Sequence, residues 1–177
     1  MKIKTWQIIT VIVCIILGIL LHFAYEWSGE KIIVGLFSAI NESTWEHLKL
    51  IFFPMLLMAV IGYFFIGRKS YNYWFAQALG ILTAIIFIIT FFYTYTGIIG
   101  TNYAWLNIAT FIIAVLLGGF VTYKVLTARK IYDAEVISIF FLIILLFSFM
   151  LYTFKPPKIQ LFEDPITGSY GISNIKI

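Results

Sequence analysis

The sequence has few charged residues, and this shortage determines its broad class. Only 11% of its 177 residues are Asp, Glu, Lys or Arg, whereas about 25% is usual in a soluble domain. Hydrophobic residues make up 62% of the chain. We therefore expect a protein of the lipid bilayer. The basic residues occur singly or in pairs and form no basic stripe, which argues against nucleic-acid binding.

Cysteine is also scarce, and the common enzyme motifs are missing. A single cysteine, Cys14, excludes an intramolecular disulfide and a cysteine-rich metal site. The patterns HExxH and GxSxG and the phosphate-binding glycine loop are all absent. The sequence therefore identifies no catalytic nucleophile and no cofactor fingerprint.

Five apolar stretches are long enough to cross a membrane, since a spanning helix needs roughly 20 apolar residues. We predict an all-α fold, a polytopic membrane helical bundle over residues 1–157, followed by a polar tail over residues 158–177. The first stretch is too long for the core of a signal peptide and lacks a cleavage site, so we expect it to be retained. The predicted spans cover about residues 5–25, 44–66, 73–95, 103–125 and 136–154.

Shorter features refine this outline. The apolar piece at residues 32–40 cannot span a bilayer, so it is re-entrant, interfacial or a packed loop. Small residues recur at four-residue spacing, which predicts close helix packing in lipid. These residues are Cys14 and Gly18; Ala76, Gly80 and Ala84; and Ala114, Gly118 and Thr122. In the first span the same spacing continues to His22 and Glu26, which turns His22 toward the bundle.

The distribution of Lys and Arg predicts the orientation. Five spans place seven basic residues on the N-terminal side and five on the other, and the short loop with Arg68 and Lys69 contrasts with an uncharged loop at residues 96–102. Because Lys and Arg favour the cytoplasm, we predict the N-terminus inside and the C-terminus outside. Six of the eight acids and both histidines then lie on the outer side; the two inner acids are Asp133 and Glu135. The tail becomes extracytoplasmic, and the protein a multi-pass protein of the cell membrane.

The most informative segment reads NESTWEHLK over residues 41–49. Polar residues at such a depth are expensive and tend to be functional. Together with His22 and Glu26, the side chains of Glu42, Glu46 and His47 would suit zinc or another divalent transition metal. The predicted metal ligands are His22, His47, Glu42 and Glu46.

A structural interpretation of the same residues stays open. Ser43 and Glu46 form a capping-box pattern, in which each side chain bonds the other's backbone N–H. In this interpretation His22 is a hydrogen-bonding residue within the bundle, and Glu26 is an ion-pair partner of Lys31 or Lys49. Both interpretations allow Glu46 to cap the helix while Glu42 and His47 bind a ligand.

Further polar residues are candidates for the same outer site. Tyr95 belongs to an aromatic belt or lines a polar pocket with its hydroxyl. Asp164 begins the sequence DPITG, which favours a tight turn, and the alternative is that the tail folds back over the outer side. The full candidate site is His22, Glu26, Asn41, Glu42, Glu46, His47, Tyr95 and Asp164.

Three segments carry a family resemblance. The sequences HFAYEWSG at residues 22–29, NESTWEHLK at residues 41–49 and DPITGSYG at residues 164–171 resemble those of a family of small bacterial integral membrane proteins of unknown function. The resemblance implies a bacterial membrane protein and supplies no activity. All three segments lie on the predicted outer side.

Two functions compete. We slightly favour a non-enzymatic binding or accessory protein, whose partners are the lipid bilayer and another membrane protein. The alternative is a membrane-embedded metal-dependent hydrolase that acts at the outer leaflet, with a spare carboxylate as general base. A transporter ranks last, because the middles of the predicted spans contain no ionisable residues.

Overall fold

The computed structural model describes residues 2–130 and 134–172, and all regular structure in these ranges is helical. Five of the six α-helices are long and apolar enough to span a membrane, which confirms the predicted fold class. Asp133, Lys176 and the rest of residues 173–177 lie outside the described residues. The helices are α1 (Ile3–Trp27), α2 (Ile32–Gly35), α3 (Thr44–Phe65), α4 (Tyr73–Ile99), α5 (Ala104–Leu126) and α6 (Ala134–Phe154).

Helix α3 is the centre of the bundle. Of its most apolar stretch 61% is buried, against 17% in α1 and in α6. It contacts α1, α4 and α6, and it continues through Pro54. Apolar side chains of α1 and α6 that face away from α3 are exposed, as expected for surfaces that contact lipid.

The small residues of α4 and α5 lie at the most extensive helix–helix contact of the described residues, as their spacing predicts. A Cβ atom added to Gly80 would lie 2.7 Å from the Gly118 carbonyl oxygen and would also clash with Thr122. In α1, a Cβ atom added to Gly18 would lie 2.6 Å from the backbone oxygen of Leu50 in α3. Both small-residue faces therefore lie at helix interfaces.

Helix α4 extends further than the sequence indicates. The predicted break after Thr96 is absent, and the helix runs through Gly97 to Ile99. It ends at Gly100, which adopts a left-handed conformation with φ of +81° and donates its N–H to the Thr96 oxygen. Glycine favours this conformation, so Gly100 is the residue that stops the helix.

One end of the bundle, here called the histidine end, carries His22, residues 41–49 and the described part of the tail. At the opposite end, the Glu135 carboxylate accepts hydrogen bonds from the backbone N–H groups of Trp74 and Phe75. It thereby caps α4 from α6. The Asn72 side chain donates to the Val125 and Arg129 oxygens and joins α4 to the end of α5.

Candidate functional site

Two histidines and a glutamate meet at the histidine end. His22 lies near the end of α1, His47 lies in the first turn of α3, and Glu42 lies in the loop before α3. One possible ligand atom from each of the three side chains lies within 4.8 Å of the others. The two imidazole ring centroids are 5.2 Å apart, and His47 Nε2 is 3.5 Å from a Glu42 oxygen. The structure thus brings together three of the four residues predicted as metal ligands, here called the histidine group.

Both imidazoles have a nitrogen that can face a metal. His47 Nδ1 lies 2.9 Å from the Ser43 backbone oxygen. With the ring proton on Nδ1, this contact is a donated hydrogen bond and Nε2 presents its lone pair. Metal-binding histidines in proteins commonly hold their second nitrogen in this way. His22 Nδ1 is buried and has no hydrogen-bond partner among the described residues.

The histidine group is accessible. The side chains of His47 and Glu42 are 34% and 46% exposed, and His22 is partly buried. A ligand can therefore reach the group from the surface of the bundle. Because three ligating side chains converge among the described residues, a tetrahedral metal held by them would keep one coordination position for water or another ligand.

Glu46, the fourth predicted ligand, has a different role. Its Oε2 lies 2.6 Å from Lys49 Nζ, and the two side chains are 2% and 0% exposed. The same oxygen accepts a hydrogen bond from the Ile40 N–H. Glu46 forms a buried ion pair, and the structure does not bring it into the histidine group.

The sequence did not indicate Lys49 as a candidate site residue, yet its side chain has several buried polar partners. Besides Glu46, its ammonium group donates to the Gly35 oxygen at 2.9 Å and to the Thr153 hydroxyl at 2.6 Å. These bonds join α3 to the end of α2 and to α6. The segment at residues 32–40 contains the short helix α2, and Lys49 joins the end of that helix to α3 and α6. Its re-entrant, interfacial or packed position in a membrane stays a prediction. The only sequence signal was a lysine inside an apolar helix.

Half of the predicted capping box is present. The Ser43 hydroxyl accepts the Glu46 N–H at 3.3 Å and caps α3, as predicted. The reciprocal bond from the Ser43 N–H goes to the Asn41 side chain at 3.0 Å and not to Glu46. That part of the prediction is wrong, because the Glu46 carboxylate turns toward Lys49. Asn41 thus stabilises the turn before the helix.

Glu26 and Tyr95 are not members of the histidine group. Glu26 is exposed at the end of α1, and Lys49, one of its predicted ion-pair partners, is bound to Glu46. Tyr95 is buried and donates a hydrogen bond to the Asn107 side chain of α5.

The described part of the tail packs against the histidine end. Phe162 is buried against Trp45 of α3, with ring centroids 4.7 Å apart. The Ile172 N–H donates to the Thr153 oxygen at the end of α6. In the tail, the Tyr170 hydroxyl donates to the Glu163 carboxylate, and this hydrogen bond raises the pKa of Tyr170.

Asp164 forms the predicted turn within the tail. Its carboxylate accepts the Ile166 N–H at 3.0 Å and the Thr167 hydroxyl at 2.6 Å. Gly168 completes the turn with φ of +67°. Asp164 is buried and near enough to His47 for an electrostatic interaction, but its oxygens do not lie among the atoms of the histidine group.

A protein-family model described as "Family of unknown function (DUF6512)" matches residues 1–172. No curated protein and no solved structure matches the chain.

Proposed function

The chain belongs to the DUF6512 family, whose function is unknown, and we propose that it is a multi-pass cell-membrane protein that binds one divalent transition-metal ion, such as zinc. The observation that carries the proposal is the approach of ligand atoms from His22, Glu42 and His47 to within 4.8 Å of one another. His22, Glu42 and His47 are the proposed metal ligands.

The chemistry of these side chains supports a transition metal. Imidazole nitrogen and carboxylate oxygen are common zinc ligands, whereas calcium and magnesium prefer sites made of oxygen alone. The three ligand atoms already lie within 4.8 Å of one another, and all three side chains are at least partly exposed. The Ser43 oxygen beside His47 Nδ1 fixes the orientation of that ring.

We propose a binding role in preference to catalysis. A metal hydrolase needs a carboxylate or another base beside the metal-bound water. Of the other candidate carboxylates, Glu46 is paired with Lys49, Asp164 is bonded within its own turn, and Glu26 is exposed at the end of α1 outside the histidine group. The open coordination position supports the alternative, a hydrolase acting at the outer leaflet, and a zinc-dependent lipid hydrolysis assay would reveal it.

The proposed orientation places the metal on the outer side of the membrane, with the N-terminus in the cytoplasm. The charge difference between the two sides supports this arrangement. A metal bound there is accessible to extracytoplasmic ions and to a partner membrane protein that supplies the remaining ligand.

Metal content measured by elemental mass spectrometry tests the proposal. We expect about one zinc per chain after the detergent-purified protein is loaded with zinc and desalted, because three side chains converge on one ion. The variants His22→Ala and His47→Ala should each lose most of this metal, since two remaining ligands bind weakly. The matched control is Glu26→Gln, an exposed carboxylate near His22 that is not in the histidine group; it should retain the metal.

Two outcomes of this measurement count against the proposed metal site. Wild-type protein without metal after loading, or histidine variants with the full metal content, would refute the proposed site. Size-exclusion chromatography and thermal unfolding of each variant establish that metal loss does not reflect loss of the fold.

A further inference from the structure

Two polar side chains of α1 are buried in the bundle away from the histidine end. Gln7 is 6% exposed and Thr10 is 7% exposed. Neither polar atom of the Gln7 amide, nor the Thr10 hydroxyl, has a hydrogen-bond partner among the described residues. Buried polar groups without partners are costly, and in lipid no bulk water is at hand to satisfy them.

The Thr10 hydroxyl differs from the other buried serine and threonine hydroxyls of the long helices. In the described chain, these others donate to the carbonyl four residues earlier in their own helix. They are Thr110, Thr122, Ser138 and Thr153. That common local solution is not used at Thr10. Its hydroxyl points instead into the interior of the bundle.

A small cavity lies beside these groups. It is lined by Gln7 and Thr10 from α1, by Gln77 from α4 and by Thr122 from α5, together with apolar side chains and Cys14. Its volume is about 10 Å³, measured as the space open to the centre of a water-sized sphere. This is the room that one water molecule needs, and buried waters typically occupy sites with two to four polar partners.

The cavity lies where direct packing is sparse. Helix α1 packs against α3 and α5, whereas it has few direct contacts with α4. Polar side chains from α1 and α4 face each other across this gap. We propose that the cavity binds one structural water molecule, which bridges Gln7 and Thr10 to Gln77 or Thr122 and so links α1 to α4 and α5.

Water fits these groups better than a small cation. Gln7 offers both an unpaired N–H donor and an unpaired carbonyl acceptor. A water molecule accepts from the first and donates to the second, whereas a cation would leave the amide N–H unpaired. The cavity residues also carry no formal negative charge to balance an ion.

Thermal unfolding of the full chain in detergent tests the proposal by the sign of an effect. Thr10→Val keeps the side-chain shape and removes the hydroxyl. If the water is bound, this variant removes one of its partners, and we expect Tm to fall by about 2–4 °C. If the cavity is dry, the same change removes an unpaired polar group and raises Tm.

The control is Thr83→Val in α4, whose hydroxyl donates only to Leu79 of its own helix. A Thr10→Val protein that unfolds at or above the wild-type temperature overturns the proposal.

A second measurement on the wild-type protein does not depend on any variant's folding. The chain has three glutamines, Gln7, Gln77 and Gln160, so selective ¹⁵N-glutamine labelling gives three side-chain amide signals in bilayer samples. We expect the Gln7 amide protons to receive magnetisation from water by through-space transfer. Loss of the signal in Gln7→Met assigns it. A Gln7 amide that receives none, while the exposed Gln160 amide does, rules out the bound water.

Discussion

Lys49 is a fully buried cation whose charge is balanced within the bundle. Its ammonium group bonds to Glu46, to Thr153 and to the Gly35 oxygen, from three different segments of the chain. Taking two charges out of water is costly, and the surrounding hydrogen bonds offset that cost. The pair therefore contributes more to the specific arrangement of α2, α3 and α6 than to net stability.

Replacement of Lys49 alone should destabilise the fold much more than replacement of both Lys49 and Glu46. We expect Lys49→Met to lower the free energy of unfolding by about 3–5 kcal/mol, because the Glu46 carboxylate is left buried without its partner. The double variant Glu46→Gln/Lys49→Met should recover a large part of this loss. Thermal unfolding of the detergent-purified proteins measures both, with the exposed Lys69→Met as the control. Equal losses in the single and double variants would show that the pair is not coupled.

The sequence predicted where the candidate site lies more accurately than which residues form it. His22, Glu42 and His47 converge because His22 continues the small-residue face of α1 toward the bundle and the cap at Ser43 fixes the start of α3. The separation of Glu46 from them depends on Lys49 and on a contact with Thr153, 104 residues away in the chain. A local pattern carries no information on such a contact, so either role for Glu46 was consistent with the sequence.

The close packing of α4 against α5 depends on the absence of side chains. Gly80 faces the Gly118 carbonyl and Thr122, and a methyl group has no space there. In lipid, helices gain little from hydrophobic burial, so the close approach of their backbones accounts for much of the attraction between them.

An alanine at Gly80 should therefore destabilise the bundle. We expect Gly80→Ala to cost about 1–3 kcal/mol from overpacking, measured by thermal unfolding. The matched control is Gly97→Ala in the same helix, where no atom lies within 4 Å of the added Cβ. That change should be neutral or stabilise the helix by about 0.5–1 kcal/mol, since alanine is the better helix former. Similar effects of the two substitutions would contradict the close packing of α4 against α5 at Gly80.

The elements themselves were largely predictable, because apolar runs of sufficient length determine the five long helices. Some of their ends were predicted as well, since α3 begins at Thr44 and α4 at Tyr73 as expected, but the end of α4 was not. Helix α4 continues past the predicted break until a left-handed glycine stops it at Gly100. The cap on its first turn comes from Glu135, which is 61 residues away from Trp74 in the chain. Ends that are fixed by tertiary contacts do not have a local sequence signal.

At the scale of the whole molecule, the two ends of the bundle differ in chemistry. The histidine end carries the histidine group, the Lys49 pair and the packed tail, and the opposite end carries Arg68, Lys69 and Lys124. The division of residues 1–157 from the tail remains a prediction. Phe162 and Ile172 nevertheless attach the described part of the tail to α3 and α6.

Cysteine labelling tests the predicted orientation. Starting from Cys14→Ala, we expect a cysteine introduced by Ile166→Cys to react with a membrane-impermeant maleimide added to intact cells. Ile166 is 77% exposed in the tail, so a cysteine there is accessible to the reagent. Whether it reacts then depends only on the side of the membrane on which the tail lies. The matched variant Lys69→Cys, at the opposite end, should react only after permeabilisation, because basic loops favour the cytoplasm. The reverse pattern would invert the orientation.

Zinc K-edge X-ray absorption of the zinc-loaded protein tests the central claim most directly. The proposed site of His22, His47 and Glu42 predicts two imidazole nitrogens at about 2.0–2.1 Å with oxygen ligands at about 2.0–2.2 Å, and outer-shell scattering from the two rings. A His47→Ala sample loaded and desalted in the same way should give little zinc absorption, because the two remaining ligands bind weakly. A spectrum with oxygen ligands alone, or with a sulfur ligand at about 2.3 Å, would contradict a metal site at the histidine end.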